Sequence, residues 1–409
     1  MLSADDNELL TRIDGTAPMG RMLRKHYWVP ALRAARLERD GAPVLVRLFG
    51  ENFVAFRASD GRVGFFAERC PHRGVSLMLA RNEDCALRCL FHGMKFDVSG
   101  KVVDVPTQNT NPEAFAKTIK LKHYPVREAG GLVWVWLDMD TAPAPFPEFE
   151  FMGLADDQYN IRIQTMHCNW VQGIEATIDP SHVGILHKNF VGKVGELQLT
   201  AENNSPRYEV KEMPYGMKAL TMRSLADGTH YARITEFVFP YYSFIPPATM
   251  HTGDRLTIIT VPVDDEHSMQ IYVRYNIRKP IRHDDWKALA DPDNFSPVQG
   301  GRANAWEQDR AAMKQNNFSG FDDLPLEDFV MQVSMGAIAD RTAEQLCSGD
   351  IIIVRARRLF LQTIKAFQNG AEPTLGPDAV QPLRSIRSWS FIVDNPTRWN
   401  DPEVLASAA

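Results

Sequence analysis

The sequence is poor in the features that mark several large classes of protein. Only five of its 409 residues are cysteine, an odd and sparse set that argues against a disulfide-stapled secreted scaffold and leaves metal binding or buried thiols as the uses. Positive charge is not in excess: 45 lysines and arginines against 51 acids give a net charge of -6. No global basic field therefore exists to gather nucleic acid or anionic lipid. Long apolar runs are missing too. The most apolar windows, such as Gly131 to Leu137 and Ile351 to Val354, fall far short of the roughly 20 residues that cross a bilayer. The acidic start, Met1 to Leu10, carries no secretory signal, and the expectation is a cytoplasmic protein without a membrane span. No internal repeat, low-complexity tract or strand-linked GxGxxG occurs, which removes solenoids, flexible-linker architectures and a built-in dinucleotide fold.

What remains is an ordinary globular composition, 44% hydrophobic and 23% charged, long enough at about 150 residues per domain for two or three domains. From Pro43 to Ala67, short Val, Leu and Phe pieces are split by Gly50-Glu51-Asn52 and Ser59-Asp60-Gly61, the pattern of strands joined by tight turns. Met94 to Asp97 and Leu132 to Leu137 read as further strands. The run Thr141-Ala142-Pro143-Ala144-Pro145-Phe146-Pro147 disfavours both helix and sheet and is the expected domain boundary. Beyond it, Gln270 to Ile277 alternates as a half-buried strand with Ile271, Val273, Tyr275 and Ile277 on one face. Ile352, Ala356, Leu359, Phe360, Thr363 and Phe367 form the stripe of a long helix that stops at Asn369-Gly370.

Two constellations carry chemistry. In the first, Cys70-Pro71-His72 is followed after sixteen residues by Cys89-Leu90-Phe91-His92, so two short pairs could clamp one inorganic centre between two loops. Thiolate and imidazole suit either a structural zinc or an iron-sulfur cluster. Each pair is followed by glycine, as His72-Arg73-Gly74 and His92-Gly93, which lets backbone approach a cluster. The stretch Cys89 to Asp97 resembles the Rieske pattern of ring-hydroxylating oxygenases. That resemblance gives Cys70 and Cys89 one iron of a [2Fe-2S] cluster and His72 and His92 the other, with a potential raised by the two imidazoles. Cys85, Cys168 and Cys347 lack such pairing and read as small buried hydrophobes.

The second lies in Asn169 to His187, where Asp179 stands three before His182 and His182 five before His187. On a helix these positions share one side, although a spacing of five needs local distortion. Two imidazoles and a carboxylate with open positions opposite suit a non-heme Fe(II) centre.

A Rieske-like segment followed about ninety residues later by Asp-x2-His-x4-His is similar over nearly the whole chain to the alpha, or terminal oxygenase, subunits of Rieske non-heme iron oxygenases. Leu326-Glu327-Asp328 and the stretch from Gly336 to Glu344 resemble the phthalate dioxygenase branch. The resemblance implies an α+β chain. An N-terminal helical segment (1–40) leads into an antiparallel Rieske domain (41–145) and a catalytic domain (146–409) whose antiparallel sheet is flanked by helices, a helix-grip or START-like fold. It further implies that His182, His187 and Asp328 hold the mononuclear iron. Asp179 would accept hydrogen bonds from His182 and from His92 of a neighbouring subunit, orienting both rings and linking the two metals. Dioxygen is the implied co-substrate. Electrons would come from NADH through a separate flavin and iron-sulfur reductase, and the assembly would be a homotrimer or a stack of two.

The same branch suggests an aromatic carboxylate substrate. Arg207 and Arg233 stand where the phthalate type places carboxylate-binding arginines, since a guanidinium is the natural bidentate partner of a carboxylate; pairing with Glu209 or Glu236 is the alternative. Pro180, where phthalate enzymes place a small hydroxyl residue, favours a relative such as isophthalate, a chlorobenzoate or a phenoxybenzoate. Dioxygenation to a cis-dihydrodiol is the expected reaction. O-demethylation of a methoxylated acid and plain Rieske electron transfer are the competing ones.

Overall fold

The computed structural model describes residues 1–281, 291–377 and 383–407. Two compact units emerge. The smaller comprises Ile13–Thr16 and Gly20–Phe146, and the larger Met1–Arg12, Ala17–Met19 and Pro147–Ala409. The chain thus changes unit inside its proline-rich run. The first forty residues are not a segment of their own. Helix α1 (Ala4–Thr11) is part of the larger unit, whereas most of α2 (Pro18–His26) and strand β1 (Val29–Arg33) are part of the smaller.

In the smaller unit, β1 pairs antiparallel with β10 (Leu132–Val135), which pairs with β9 (Val126–Ala129). β2 (Val44–Leu48), β3 (Glu51–Arg57) and β4 (Val63–Ala67) form an antiparallel meander. Its turns fall on Gly50, at φ +75, and Gly61, at φ +90, where the left-handed backbone suits glycine. Four short strands, β5 (Arg81–Glu83), β6 (Ala86–Arg88), β7 (Lys95–Asp97) and β8 (Val102–Asp104), form a third sheet, followed by α3 (Pro112–Thr118). Phe56, Phe66, Leu87 and Phe96 fill a core that also takes in Cys70, Cys89 and Met94.

The larger unit is built on one antiparallel sheet. Its strands are β11 (Tyr159–Met166), β12 (Arg207–Met213), β13 (Gly216–Ser224), β14 (His230–Val238), β15 (Tyr242–Ile245), β16 (Asp254–Asp264) and β17 (His267–Asn276), in the order β11-β17-β16-β15-β14-β13-β12, with β18 (Trp389–Val393) pairing β14. Besides α1, its described helices are α4 (Trp170–Ile178), α5 (Lys188–Val191), α6 (Leu199–Glu202), α7 (Arg310–Met313), α8 (Leu324–Ser334), α9 (Ile351–Gln368) and α10 (Pro402–Ser407). Because strand side chains alternate, the sheet has two distinct faces. One receives α4, α8 and α9: Phe237 meets Phe360 of α9, Thr177 of α4 bonds Ser243, and Gln270 bonds Gln332 of α8. The other buries Leu220, Met222, Ala232, Ile234, Phe391 and Trp399.

This is the helix-grip arrangement, with α9 as the long helix. Ile352, Ala356, Leu359 and Phe360 of the expected stripe are buried, Thr363 and Phe367 are only half-buried, and the helix ends in Asn369 and the left-handed Gly370 at φ +86. β17 departs from the expected half-buried strand. Gln332 and Phe329 of α8 cover its second face, so Gln270 and Tyr272 are buried along with Ile271 and Val273, and Ile277 lies past its end. Phe237 and Phe239 pack on Phe360, and Tyr242 and Phe244 on Phe149, so these four aromatics belong to the core. Among the described residues no helix is long and apolar enough to cross a membrane.

Candidate active site

The smaller unit presents two loops of the same construction. After β4, Cys70 N donates to Val75 O at 2.8 Å and Gly74 N to Cys70 O at 2.9 Å; after β6, Cys89 N donates to Met94 O at 2.9 Å and Gly93 N to Cys89 O at 3.0 Å. Gly74 and Gly93 have φ of +75 and +76, and a Cβ on Gly93 would come within 2.6 Å of Pro106 Cγ. Both loops therefore need glycine to turn back beneath their cysteine. Cys70 and Cys89 are buried, His72 is exposed and His92 half-buried, and the two imidazoles lie 4.6 Å apart.

Burial, with Cys89 alongside, pushes the Cys70 thiol up to about 11. Partial burial and the charges of His72 and Arg73 lower His92, which favours the neutral imidazole that binds metal. His92 Nδ1 is buried with no hydrogen-bond partner among the described residues. Two thiols beside two imidazoles, one with an orphaned ring nitrogen, is a donor set that fits a [2Fe-2S] cluster with mixed ligation.

In the larger unit, α4 ends at Ile178, Asp179 closes it with its N–H on Glu175 O at 3.1 Å, and Pro180 prevents its continuation. Asp179 to His187 is a turn, in which Ile185 N and Leu186 N donate to His182 O at 2.9 and 2.8 Å. The expected helical placement of the histidines is thus corrected. A folded-back turn brings a spacing of five together without distorting a helix.

The turn meets α8. His187 Nε2 lies 3.1 Å and His182 Nε2 3.5 Å from the same Asp328 oxygen. One donor atom from each of His182, His187 and Asp328 lies within 4.8 Å of the others. Behind them, His182 Nδ1 donates to Asp179 Oδ2 at 3.1 Å and His187 Nδ1 to Glu327 Oε2 at 2.6 Å. A carboxylate only accepts, so each Nδ1 carries the proton and each Nε2 lone pair is left for the centre. Two imidazoles and a carboxylate converging in this way fit a mononuclear iron. Burial works against protonating His187, but Asp328 and Glu327 outweigh it and raise the ring to about 9 in the metal-free protein. Asp328 is the acid that converges on the two imidazoles, while Asp323 stands at the N-terminal cap of α8 and Asp322 is exposed.

Glu327, the neighbour of Asp328 in sequence, is not among the three converging groups. Neighbouring helical residues point about 100° apart; Glu327 instead lies fully buried behind His187, where the Ser319 hydroxyl also donates to it. Glu175 is an ion-pair hub between Arg341 at 2.9 Å and Arg357 at 2.7 Å. It ties α4 to α9.

The two arginines do not converge. Arg207 faces Met222, which pairs with Ala232; Arg233 pairs with Thr221, which faces Tyr208. They therefore occupy opposite faces of the sheet. Arg207 is 55% exposed and pairs with Glu209 at 3.1 Å, the alternative weighed for it. Arg233 is buried on the helix face, donating to Tyr231 OH and to the carbonyls of Pro246 and Pro247. A joint carboxylate clamp by Arg207 and Arg233 is corrected on this register.

An iron-sulfur loop pair in one unit and a two-histidine, one-carboxylate turn on a helix-grip sheet in the other is the equipment of an oxygenase terminal component. Comparison with known proteins sharpens this. Residues 27–125 match the Rieske [2Fe-2S] domain and residues 135–408 the family described as "LigXa C-terminal domain like". The chain is 36% identical to the phthalate 4,5-dioxygenase oxygenase subunit of Pseudomonas putida, covering 98% of this chain and 94% of that protein. It is 34% identical to the 3-chlorobenzoate-3,4-dioxygenase oxygenase subunit of Comamonas testosteroni, covering 98% and 97%. It is 31% identical to the 5,5'-dehydrodivanillate O-demethylase oxygenase subunit of a Sphingobium species, covering 91% and 83%. Among solved structures, dicamba monooxygenase bound to dicamba shares the fold, with a TM-score of 0.60 at 17% identity over 86% of this chain and 100% of that one. The chain belongs to the Rieske non-heme iron oxygenases, in the phthalate dioxygenase-like branch. It is an oxidoreductase of the Rieske dioxygenase class, using a [2Fe-2S] cluster, a mononuclear iron and dioxygen. Oxygenase subunits of this kind work with a separate electron donor.

Proposed function

We propose that this oxygenase subunit cis-dihydroxylates an aromatic carboxylate, a phthalate isomer, a chlorobenzoate or a phenoxybenzoate. The carrying observation is the convergence of His182, His187 and Asp328, each imidazole backed by its own carboxylate, in a chain whose relatives of high coverage are named for phthalate and chlorobenzoate dioxygenation. When bound, the cluster and the iron supply one-electron transfer and dioxygen activation.

The chain's own residues do the rest. Cys70, His72, Cys89 and His92 would hold the cluster, with the glycine turns bringing backbone amides near it. His182, His187 and Asp328 would hold the iron on one side and leave the other open to the arene. Asp179 and Glu327 fix the ring orientations and the tautomers. Asp179 is only partly buried, its side chain 23% exposed, and exposed His72 and half-buried His92 lie at the surface of their own unit. These exposures support a path in which Asp179 meets His92 of a neighbouring subunit, within a homotrimer or stacked trimers. The electron source is a separate NADH-dependent reductase with flavin and iron-sulfur centres, and the setting is the cytoplasm.

The test is substrate-dependent oxygen uptake, with a surrogate reductase, across benzoate, the phthalate isomers, 3-chlorobenzoate and phenoxybenzoates, followed by product analysis. A cis-dihydrodiol is expected. The O-demethylase relative supports a second reading, monooxygenation of a methoxylated acid, for which an aldehyde and a phenol are the products. A chain that consumes no oxygen with any aryl acid is outside both.

A further inference from the structure

On the helix face of the sheet, two buried guanidiniums stand together with no acid paired to either among the described residues. Arg223 is 1% exposed; its Nε donates to Asn203 O at 2.9 Å, and its Nη1 is buried with no hydrogen-bond partner. Arg233, on the neighbouring strand, spends its donors on neutral oxygens, the Tyr231 hydroxyl and two carbonyls. Two residues before Arg223, and so on the same face, Thr221 is also 1% exposed with an unpartnered Oγ1.

Burying one charge without a counter-ion is costly, and burying two of the same sign side by side is more so. Burial first, then the charge of Arg233, pulls Arg223 down to about 10, so it stays a cation at neutral pH. Among the described residues no carboxylate is paired with either arginine. A buried cationic pair with an idle N–H and an idle hydroxyl has the chemistry to receive an anion.

This spot is joined to the metal turn by two routes. Tyr208, the register partner of Thr221, shares a 3.0 Å hydrogen bond with Ser181, the residue before His182. The segment of Asn203 also walls the turn, because a Cβ on Gly184 would lie 2.2 Å from Thr200 O and 2.9 Å from Asn204 Oδ1.

We propose that Arg223, with Thr221, binds the carboxylate of the aromatic substrate and directs the ring toward the turn that carries His182 and His187. Arg223 offers the planar guanidinium donors and Thr221 the hydroxyl, while Arg233 adds charge from behind. This deepens the aryl-acid reading above and rests on it.

The test is calorimetric titration of the metal-loaded protein with 3-chlorobenzoate and with 3-chlorobenzamide, its neutral counterpart. The wild type binds the acid in preference to the amide. Arg223→Gln weakens the acid about ten- to a hundredfold and leaves the amide unchanged. Arg223→Lys keeps the charge but loses the planar donors, giving a smaller loss confined to the acid, as does Thr221→Val. These two variants decide the matter if the glutamine variant does not fold. Unchanged acid affinity in the variants, an equal loss for acid and amide, or a wild type indifferent to the charge overturns the proposal. Binding needs no turnover. An enzyme that turns over aryl acids yet is insensitive at Arg223 refutes this inference alone, whereas acid binding without oxygen uptake refutes the broader reading alone.

Discussion

His187 and Glu327 share a 2.6 Å hydrogen bond at a point where the carboxylate is fully buried and the imidazole nearly so. The pair lies one residue away from Asp328, which meets the opposite nitrogen of the same ring. Adjacent residues of α8 thus face the two sides of one histidine, one to orient it and one to join it at the metal.

Glu327→Gln retains an acceptor but removes the charge that favours the Nδ1 proton. Iron affinity is expected to fall about 10- to 100-fold, while the reduced-state EPR signal of the cluster is unchanged. Asp328→Ala is expected to lose the mononuclear iron outright, so that total iron drops from about three per chain to about two. Iron analysis beside EPR separates the two outcomes; full iron in Asp328→Ala would remove it from the ligand set.

Protons compete with iron at this site in a defined direction. In the metal-free protein His187 is raised from 6.5 to about 9 by Asp328 and Glu327, against the effect of burial. Its contribution to stability is therefore full below pH 6.5 and lost as the pH rises through about 9. Iron needs the neutral ring, so its contribution has the opposite sign. The gap in Tm between loaded and metal-free protein should widen from pH 6.5 to pH 9. A gap that narrows over that range contradicts the assignment.

Asp179→Asn keeps the shape of the side chain but removes a charge. Both metals should be retained, and oxidation of the reduced cluster in a single turnover should slow severely. Unchanged turnover would leave Asp179 as no more than the cap of α4 and a partner for His182.

Arg207→Ala is expected to leave the affinity for an aryl acid unchanged, because Arg207 is 55% exposed, paired to Glu209 and on the face away from α9. Its ion pair is open to solvent and contributes at most about 1 kcal/mol to stability. A raised Michaelis constant for the acid would show that Arg207 reaches substrate after all.

How far these arrangements could be read in advance depended on how locally each is specified. The cluster loops were legible because Cys70, His72, Cys89 and His92 lie within one short stretch, and their glycines mark the turns. The boundary near Pro147 was legible because three prolines crowd it. The turn from Asp179 to His187 was misread as helix, although Pro180 marked the break. Asp328 came from family resemblance, since 140 residues separate it from His187. Arg207 failed for a different reason: a one-residue difference in strand register moves a side chain to the other face, and register between β12, β13 and β14 is not written in any one of them. Glu327 and Arg223 were hidden alike, since burial and an absent partner are properties of the packed chain.

The tight seat of Gly184 against Thr200 and Asn204 has an evolutionary consequence. The strand of chain that braces the histidine turn also hands its Asn203 carbonyl to Arg223. Mutations that reshape residues 200–204 to suit a new substrate will disturb the grip on iron as well, so substrate range and iron retention should vary together in this lineage wherever that segment changes.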